Sequence, residues 1–406
     1  MRATKNSKVS RSKTKMYSKL DASQQRFYHY LVSHSFLIGL FPFFIPVYLW
    51  RIGFSLSEIS LYISLAGFTY CFGVWIWDRV KETLGWRNVV LATFAIELLL
   101  LTLVLRQENS GFIFMFGILN GIYNAAYWMT QRTFFVSSIS AGKSGNAYGN
   151  LQIVVLVVLK IGMLIGGYLL EQRGFLSILV LSALMAGLAC VTTFLLRINF
   201  ATGLDSKKYQ PVPVKTGLMY NDRYNARGVF IFDGILLYLE SHFWLLSLFF
   251  ISNENFTTLS LIVIFLGITF SILFYFVKKT IDRTTSTFMY TLSLAGYTLS
   301  WLLRVLLPQM NQQIMVIFLV LIAFLTALFR LNFNKRFFDH AVGNQPHQYL
   351  VAKSYLSQLG IAVWYFIAAI ALYKWQIDDT SRLSALYLAA IPMMFFYWKY
   401  LPANSD

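Results

Sequence analysis

Apolar runs of about twenty residues recur along the whole length of this chain, and a run of that length spans a bilayer as a helix. Lipid offers no partner for a backbone amide, so such runs must close their hydrogen bonds internally, and at this length they do so as helices rather than as barrel strands. A sliding window places twelve of them, at 28–50, 57–78, 88–105, 111–136, 146–170 and 175–197, then at 228–252, 257–278, 286–307, 312–338, 350–373 and 383–401. The 406 residues are 57% hydrophobic and 13% charged, about half the charge content of a soluble domain. The expectation is an all-α integral membrane protein with twelve transmembrane helices.

The polar segments organise these runs. Residues 1–27 form a basic tail, with eight Lys or Arg and one acid in the first 26, and the run that follows is too long for a signal peptide and has no cleavage motif. Residues 198–227 are the longest polar stretch between runs and read as a linker joining two six-helix bundles, 28–197 and 228–401, and residues 402–406 form a short tail. With both termini in the cytosol, about 26 Lys and Arg fall inside, six outside and two within spans, a positive-inside bias that inversion would reverse. The expected location is the plasma membrane of a bacterial cell. The net charge of +17 is dispersed among short loops facing an anionic leaflet, so lipid and not nucleic acid is the expected partner. Gly142-Lys143-Ser144 looks like the end of a phosphate-binding loop, but the required upstream glycine is Ser137 and no strand leads in. Nucleotide is excluded on that ground. Cys71 and Cys190 sit within apolar runs, which argues against a disulfide framework or a cysteine metal site, and no cofactor is expected.

An internal repeat is visible at an offset of 204 residues. Asp78-Arg79 leaves the second run as Asp282-Arg283 leaves the eighth, and Arg132 at the end of the fourth falls on Arg336 at the end of the tenth. With Gly73, Asp78, Arg79, Gly85 and Arg87 after the second run, and Gly162, Gly166 and Gly167 in the fifth, the chain resembles the major facilitator superfamily over nearly its whole length. It departs from the family signature where Gly73 lies one residue further from Asp78 and "VKETL" lengthens the turn. The resemblance implies two pseudo-symmetric six-helix bundles rocking about a midplane site, with the first, fourth, seventh and tenth spans lining a central cavity. Asp78, Arg79, Arg132, Asp282, Arg283 and Arg336 are then candidates for a cytosolic gate, made of charge-assisted bonds that form when that mouth closes.

Ionisable residues within a span are functional candidates. The seventh span holds Asp233, Glu240 and His242, and two helical turns separate the two acids, which places them on one face. Glu240 falls near the midplane and is the first candidate for proton coupling, with Asp233 shallower on the same face. Lys160 in the fifth span and Arg330 in the tenth are the cations within reach, as ion-pair partners or as contacts for solute. In the fourth span "NGIYNAAYWMTQR" brings Asn120, Tyr123 or Asn124, Tyr127 and Gln131 to one stripe, with Trp128 beside it, where rings and amides either pack against neighbours or orient a small-molecule substrate. Arg304 is expected at an outer helix end, snorkelling to headgroups. His34 reads as an ordinary hydrogen-bonded histidine, and Glu97 as paired within its own bundle. The expected function is secondary transport of a small organic or amphipathic solute coupled to protons, in the export direction, with sugar or nutrient uptake as the alternative. From other classes, a transferase would need a catalytic cluster, for which "FDHAVGNQPH" is the local candidate, and a non-transporting sensor or immunity protein is the third reading.

Overall fold

The computed structural model describes residues 22–138, 144–195, 210–283, 286–343, 345–375 and 377–400, without the side chains of 22–28, 82, 137–138, 144–152, 195, 270–283, 286 and 342–343. Most of the basic tail, Gly142-Lys143, residues 198–209 of the linker and residues 402–406 lie outside the described residues. So do the side chains of Asp282 and Arg283.

Everything regular that is described is helical. Before the linker come α1 (Ala22–Leu40), α2 (Ile45–Arg51), α3 (Leu56–Val104), α4 (Phe112–Ser138), α5 (Ser144–Gln172) and α6 (Phe175–Leu195). A short α7 (Val214–Leu218) lies in the linker. After it come α8 (Ala226–Tyr238), α9 (Trp244–Ile251), α10 (Phe256–Arg283), α11 (Ser286–Leu306), α12 (Gln312–Gly343), α13 (Pro346–Lys374), α14 (Asp379–Ala390) and α15 (Met394–Trp398). Local chemistry sets the breaks. Pro42 and Pro46 lack the amide a continuous helix needs, and the chain bends by 43° between His29–Leu40 and Pro42–Arg51. A capping box starts α3: Ser55 Oγ accepts from the Glu58 amide at 3.3 Å and Glu58 accepts from the Ser55 amide at 2.8 Å. Gly85, at φ 74° and ψ 151°, folds α3 into two arms, Leu56–Lys81 and Thr83–Val104. That conformation is open to glycine and strained for other residues.

Eight helices are long and apolar enough to cross a membrane, nine if the bent α1–α2 pair is one crossing, among the described residues. Twelve crossings were expected. The shortfall lies in α10, whose described apolar part is only Phe256–Thr269, in α11, which carries Arg304, and in α14 and α15, which are interrupted by a 3-10 turn at Ile391–Met393 containing Pro392. Large apolar side chains such as Phe68, Leu184, Phe194, Ile317 and Trp398 are exposed on the outside of the bundle, a surface suited to lipid and not to water.

Small residues set how closely the helices pack. On α5, a Cβ at Gly162 would lie 3.1 Å from Gly39 Cα, one at Gly166 2.9 Å from Leu40 Cα, and one at Gly167 2.7 Å from the Phe256 carbonyl oxygen. The glycine face of α5 therefore touches α1 on one side and α10 on the other. The first arm of α3 runs along α13, where Ser57 and Ser64 donate to the carbonyls of Ala369 (2.8 Å) and Ala362 (2.7 Å). Hydrogen bonds of this kind contribute about 0.6 kcal/mol each between membrane helices, so they fix register more than they hold the bundle together. The contacts α3–α13 and α5–α10 join the helices before the linker to those after it.

Candidate functional site

Between these two sets of helices lies a cavity of about 570 Å³. From α4 it receives Asn120, Tyr123, Asn124, Trp128 and Arg132, and from α5 Lys160. The residues around Glu240 face it from the other side, with Gly267 of α10 and Gln358 of α13. Asn120, Asn124 and Trp128 recur at every fourth position, so one helical face presents them together. Asn124 donates to Asn120 Oδ1 at 3.0 Å, and the Trp128 indole donates to Asn124 Oδ1 at 3.1 Å. Tyr127 does not belong to this stripe. It is buried away from the cavity, with its ring 6.0 Å from Tyr30 and 5.0 Å from His34, because a position three after Asn124 falls on the flank of the α4 stripe turned toward α1.

Glu240 sits in a π-helical turn, Leu239–Phe243, between α8 and α9. Such turns insert a residue into the helical repeat and recur at functional sites. Its Oε2 accepts from Arg330 Nε at 3.0 Å and Nη2 at 2.9 Å, whereas its Oε1 is buried without a hydrogen bond. Arg330 also donates to Asp233 at 2.6 Å and to the Tyr297 hydroxyl at 3.2 Å. Asp233 accepts further from Lys353 at 2.5 Å and from the Tyr397 hydroxyl at 2.8 Å. Asp233, Glu240 and Arg330 thus meet in one cluster, in which Asp233 and Arg330 lie behind the cavity wall and only Glu240 of the three lines it. Lys353 and Tyr397 complete the cluster and were missed. Beside Glu240, His242 accepts from or donates to Ser241 at 2.8 Å and stacks on Tyr238 at 4.8 Å.

Lys160 reaches the cavity across a gap in α10. A Cβ at Gly267 would lie 2.6 Å from Lys160 Cε, so the missing side chain is what admits the lysine stem. No carboxylate lies within ion-pair distance of its ammonium among the described residues.

Charged residues at the linker end of the cavity are arranged differently from the expected gate. Asp78 is fully buried and accepts from Lys81 on its own helix, from His347 of α13 at 2.6 Å and from the Val212 amide of the linker at 2.7 Å. Arg79 points outward, bonded to the Trp75 carbonyl at 3.1 Å and lying over the Trp75 ring, so it does not bridge the mouth. Arg132 does reach across, to Ser354 of α13 at 3.3 Å. Arg336 bonds the Tyr400 carbonyl and covers the Tyr290 ring at 3.6 Å, both within its own set of helices. Phe135 and Phe338 add an apolar contact between the sets at 4.5 Å. At the opposite end Trp50 packs on Phe250 at 4.9 Å, and Arg51 pairs with Glu254 at 3.8 Å. Contacts between the two sets thus bracket the cavity at both ends.

Three other expectations resolve. Arg304 does not snorkel: it is 2% exposed, bonded to Ser300 and Thr326 at 3.0 and 2.9 Å, and held between Trp301 and Trp244. His34 and Glu97 pair with each other at 3.2 Å in a fully buried site. The residues of "FDHAVGNQPH" disperse, Asp339 to Lys335, His340 onto Tyr224 and His347 to Asp78. No group of three or more His, Cys, Asp or Glu able to hold a metal occurs among the described residues.

The sequence pattern of the Major Facilitator Superfamily matches residues 30–365. The chain belongs to this superfamily. Its fold is similar to the crystal structure of the nucleoside transporter NupG, with a TM-score of 0.67 at 13% identity over 93% of this chain and 98% of that one. The D323A mutant of NupG gives 0.68 at 12% identity, with the same coverage. The crystal structure of tetrameric PepTSo2 gives 0.62 at 14% identity, over 93% of this chain and 97% of that chain. No curated protein matches the chain in sequence. As a member of the superfamily the chain is a multi-pass membrane protein and a transporter rather than an enzyme, so the transferase alternative falls.

Proposed function

We propose that the protein is a proton-coupled secondary transporter that moves a small organic or amphipathic solute by alternating access of the central cavity. Glu240 carries the argument. It is the one acid lining the cavity among the described residues, one of its oxygens is bound to Arg330, and the other has no partner. Protonation would weaken the Arg330 pair and so link proton binding to the packing of α8, the π turn and α12. In this reading the twelve crossings form two bundles of six, the linker end faces the cytosol with both termini, and the Asp78 and Arg132 contacts belong to the mouth that closes there. Asp233 holds Arg330 in place and does not exchange protons with the cavity, because its oxygens are already bonded to Arg330, Lys353 and Tyr397.

The aromatic wall of Tyr62, Tyr238, Trp128 and Trp244 supports an amphipathic solute, and export is the direction proposed for it. Uptake of a polar nutrient is the second reading. It is favoured by the Asn120–Asn124 amide pair and by the fold's similarity to a nucleoside transporter. The test is purified protein in proteoliposomes containing a pH dye, with pooled solutes added outside and Glu240→Gln in parallel. The reading predicts solute-dependent proton flux in the wild type and less than about a tenth of it in the variant, the loss expected when a positioned proton-transfer group is removed. Undiminished flux in Glu240→Gln would remove the proton role from this residue.

A further inference from the structure

We infer that the cavity accepts an organic anion with a flat apolar face, and that Lys160 is the charge that recognises it. This rests on the reading of the cavity as the solute site and adds the solute's charge class to it.

The inference follows from how the charges around the cavity are paired. Asp233 and Glu240 supply two negative charges, and Arg330 and Lys353 supply two positive ones bonded directly to them. Glu240 is therefore neutralised from behind by Arg330, and a cationic solute would have to displace that guanidinium to reach it. Lys160 has no such counter-charge. The helix facing it is α10 at Gly267, and the nearest acid further along α10 is Asp282, fifteen residues on, which is about 22 Å along a helix. Arg132, the other cation on the cavity wall, meets the Ser354 hydroxyl and lies 5.8 Å over the Trp128 ring, and neither of these is a carboxylate. The cavity thus carries an excess of two positive charges among the described residues.

Withdrawing an ammonium from water without a counter-charge is costly, and the cost falls when a bound anion pairs with it. An anionic occupant would supply that charge. Rings on both sides of the cavity, Trp128 from α4 and Trp244 from α9, give the rest of the occupant apolar faces to lie against. The Lys160 stem occupies the space that a Cβ at Gly267 would take, so the glycine leaves the lysine its path along α10.

The experiment measures equilibrium binding to the full-length protein in nanodiscs of zwitterionic lipid, using three probes of matched ring and size: naphthoate, naphthylmethylammonium and naphthalenemethanol. Naphthoate is expected to bind about tenfold more tightly than either other probe, the ratio equivalent to one charge-assisted contact. Lys160→Gln should abolish that preference while leaving the alcohol bound at wild-type strength, which shows that the variant is folded. Lys160→Arg should retain the preference. Equal or tighter binding of the ammonium or the alcohol in the wild type would overturn the inference and leave the cavity standing as a solute site. A preference for naphthoate that persists in Lys160→Gln would overturn it as well. Absence of saturable binding by all three would overturn both the inference and the reading of this cavity as the solute site.

Discussion

Glu240 on the cavity wall and Asp233, Arg330 and Lys353 behind it form a closed set in which each carboxylate and each cation has its partner. A buried pair stripped of one member leaves an uncompensated charge, which costs about 3 to 5 kcal/mol, whereas removing both members is far milder. Lys353→Met and Asp233→Asn are each expected to lower the thermal midpoint of the purified protein substantially, and the double variant should recover most of the loss. If the two losses simply added, the direct Asp233–Lys353 bond would not be the interaction that matters. This is also the scale at which the sequence was least readable. Glu240, Asp233 and Arg330 stood out because each is a charge deep in an apolar run. Lys353 lies only a few residues inside the run 350–373, where a positive charge reads as an end-of-helix residue. Tyr397 is one of 24 tyrosines, and its role comes only from a fold that brings α15 against α8. Tyr127 erred the other way, since its type suited a binding stripe and only helix rotation shows that it faces Tyr30 and His34.

At the scale of elements, most helices fall where long apolar runs place them, whereas the bend at Pro42 and Pro46 was not anticipated, because 28–50 was read as one span. Nor was the π turn, because nothing in "LESHF" departs from α-helical propensity and the extra residue is accommodated by packing. Helix contacts were partly legible through glycine. The packing of α5 makes a contrast that tests this reading. A Cβ at Gly166 meets the backbone of α1, which cannot give way, whereas one at Gly187 on α6 has nothing within 4 Å. Gly166→Ala is therefore expected to destabilise by about 1 to 3 kcal/mol through overpacking. Gly187→Ala should be neutral or stabilising by up to about 1 kcal/mol, since alanine is the better helix former. Unfolding monitored by thermal melting in the same detergent checks both, and equal effects would show that the close α1–α5 approach is not what Gly166 provides.

For the whole molecule, the repeat at 204 residues predicted matching gate charges, of which Asp78, Arg79, Arg132 and Arg336 have described side chains. Asp78 is held by Lys81, His347 and the linker amide of Val212, so the segment joining the two sets of helices itself takes part in closing that end. No charge-pairing rule anticipates a backbone donor from a linker, so this contact was not legible in the repeat. Rocking about the cavity requires the contacts at the two ends to open in turn. A short thiol cross-linker applied to Arg132→Cys with Ser354→Cys should hold the linker end shut, and the same reagent on Ser57→Cys with Ala369→Cys should hold the opposite end, both in a background lacking Cys71 and Cys190. Each cross-link alone is expected to reduce solute flux to background, and reductive cleavage of the linker to restore it. Either site left uncrosslinked should transport normally, which separates the constraint from the substitutions. Full flux with one end cross-linked would mean that end does not have to open, and the cavity would then communicate with its two sides by some route other than alternating separation of α3 and α4 from α13.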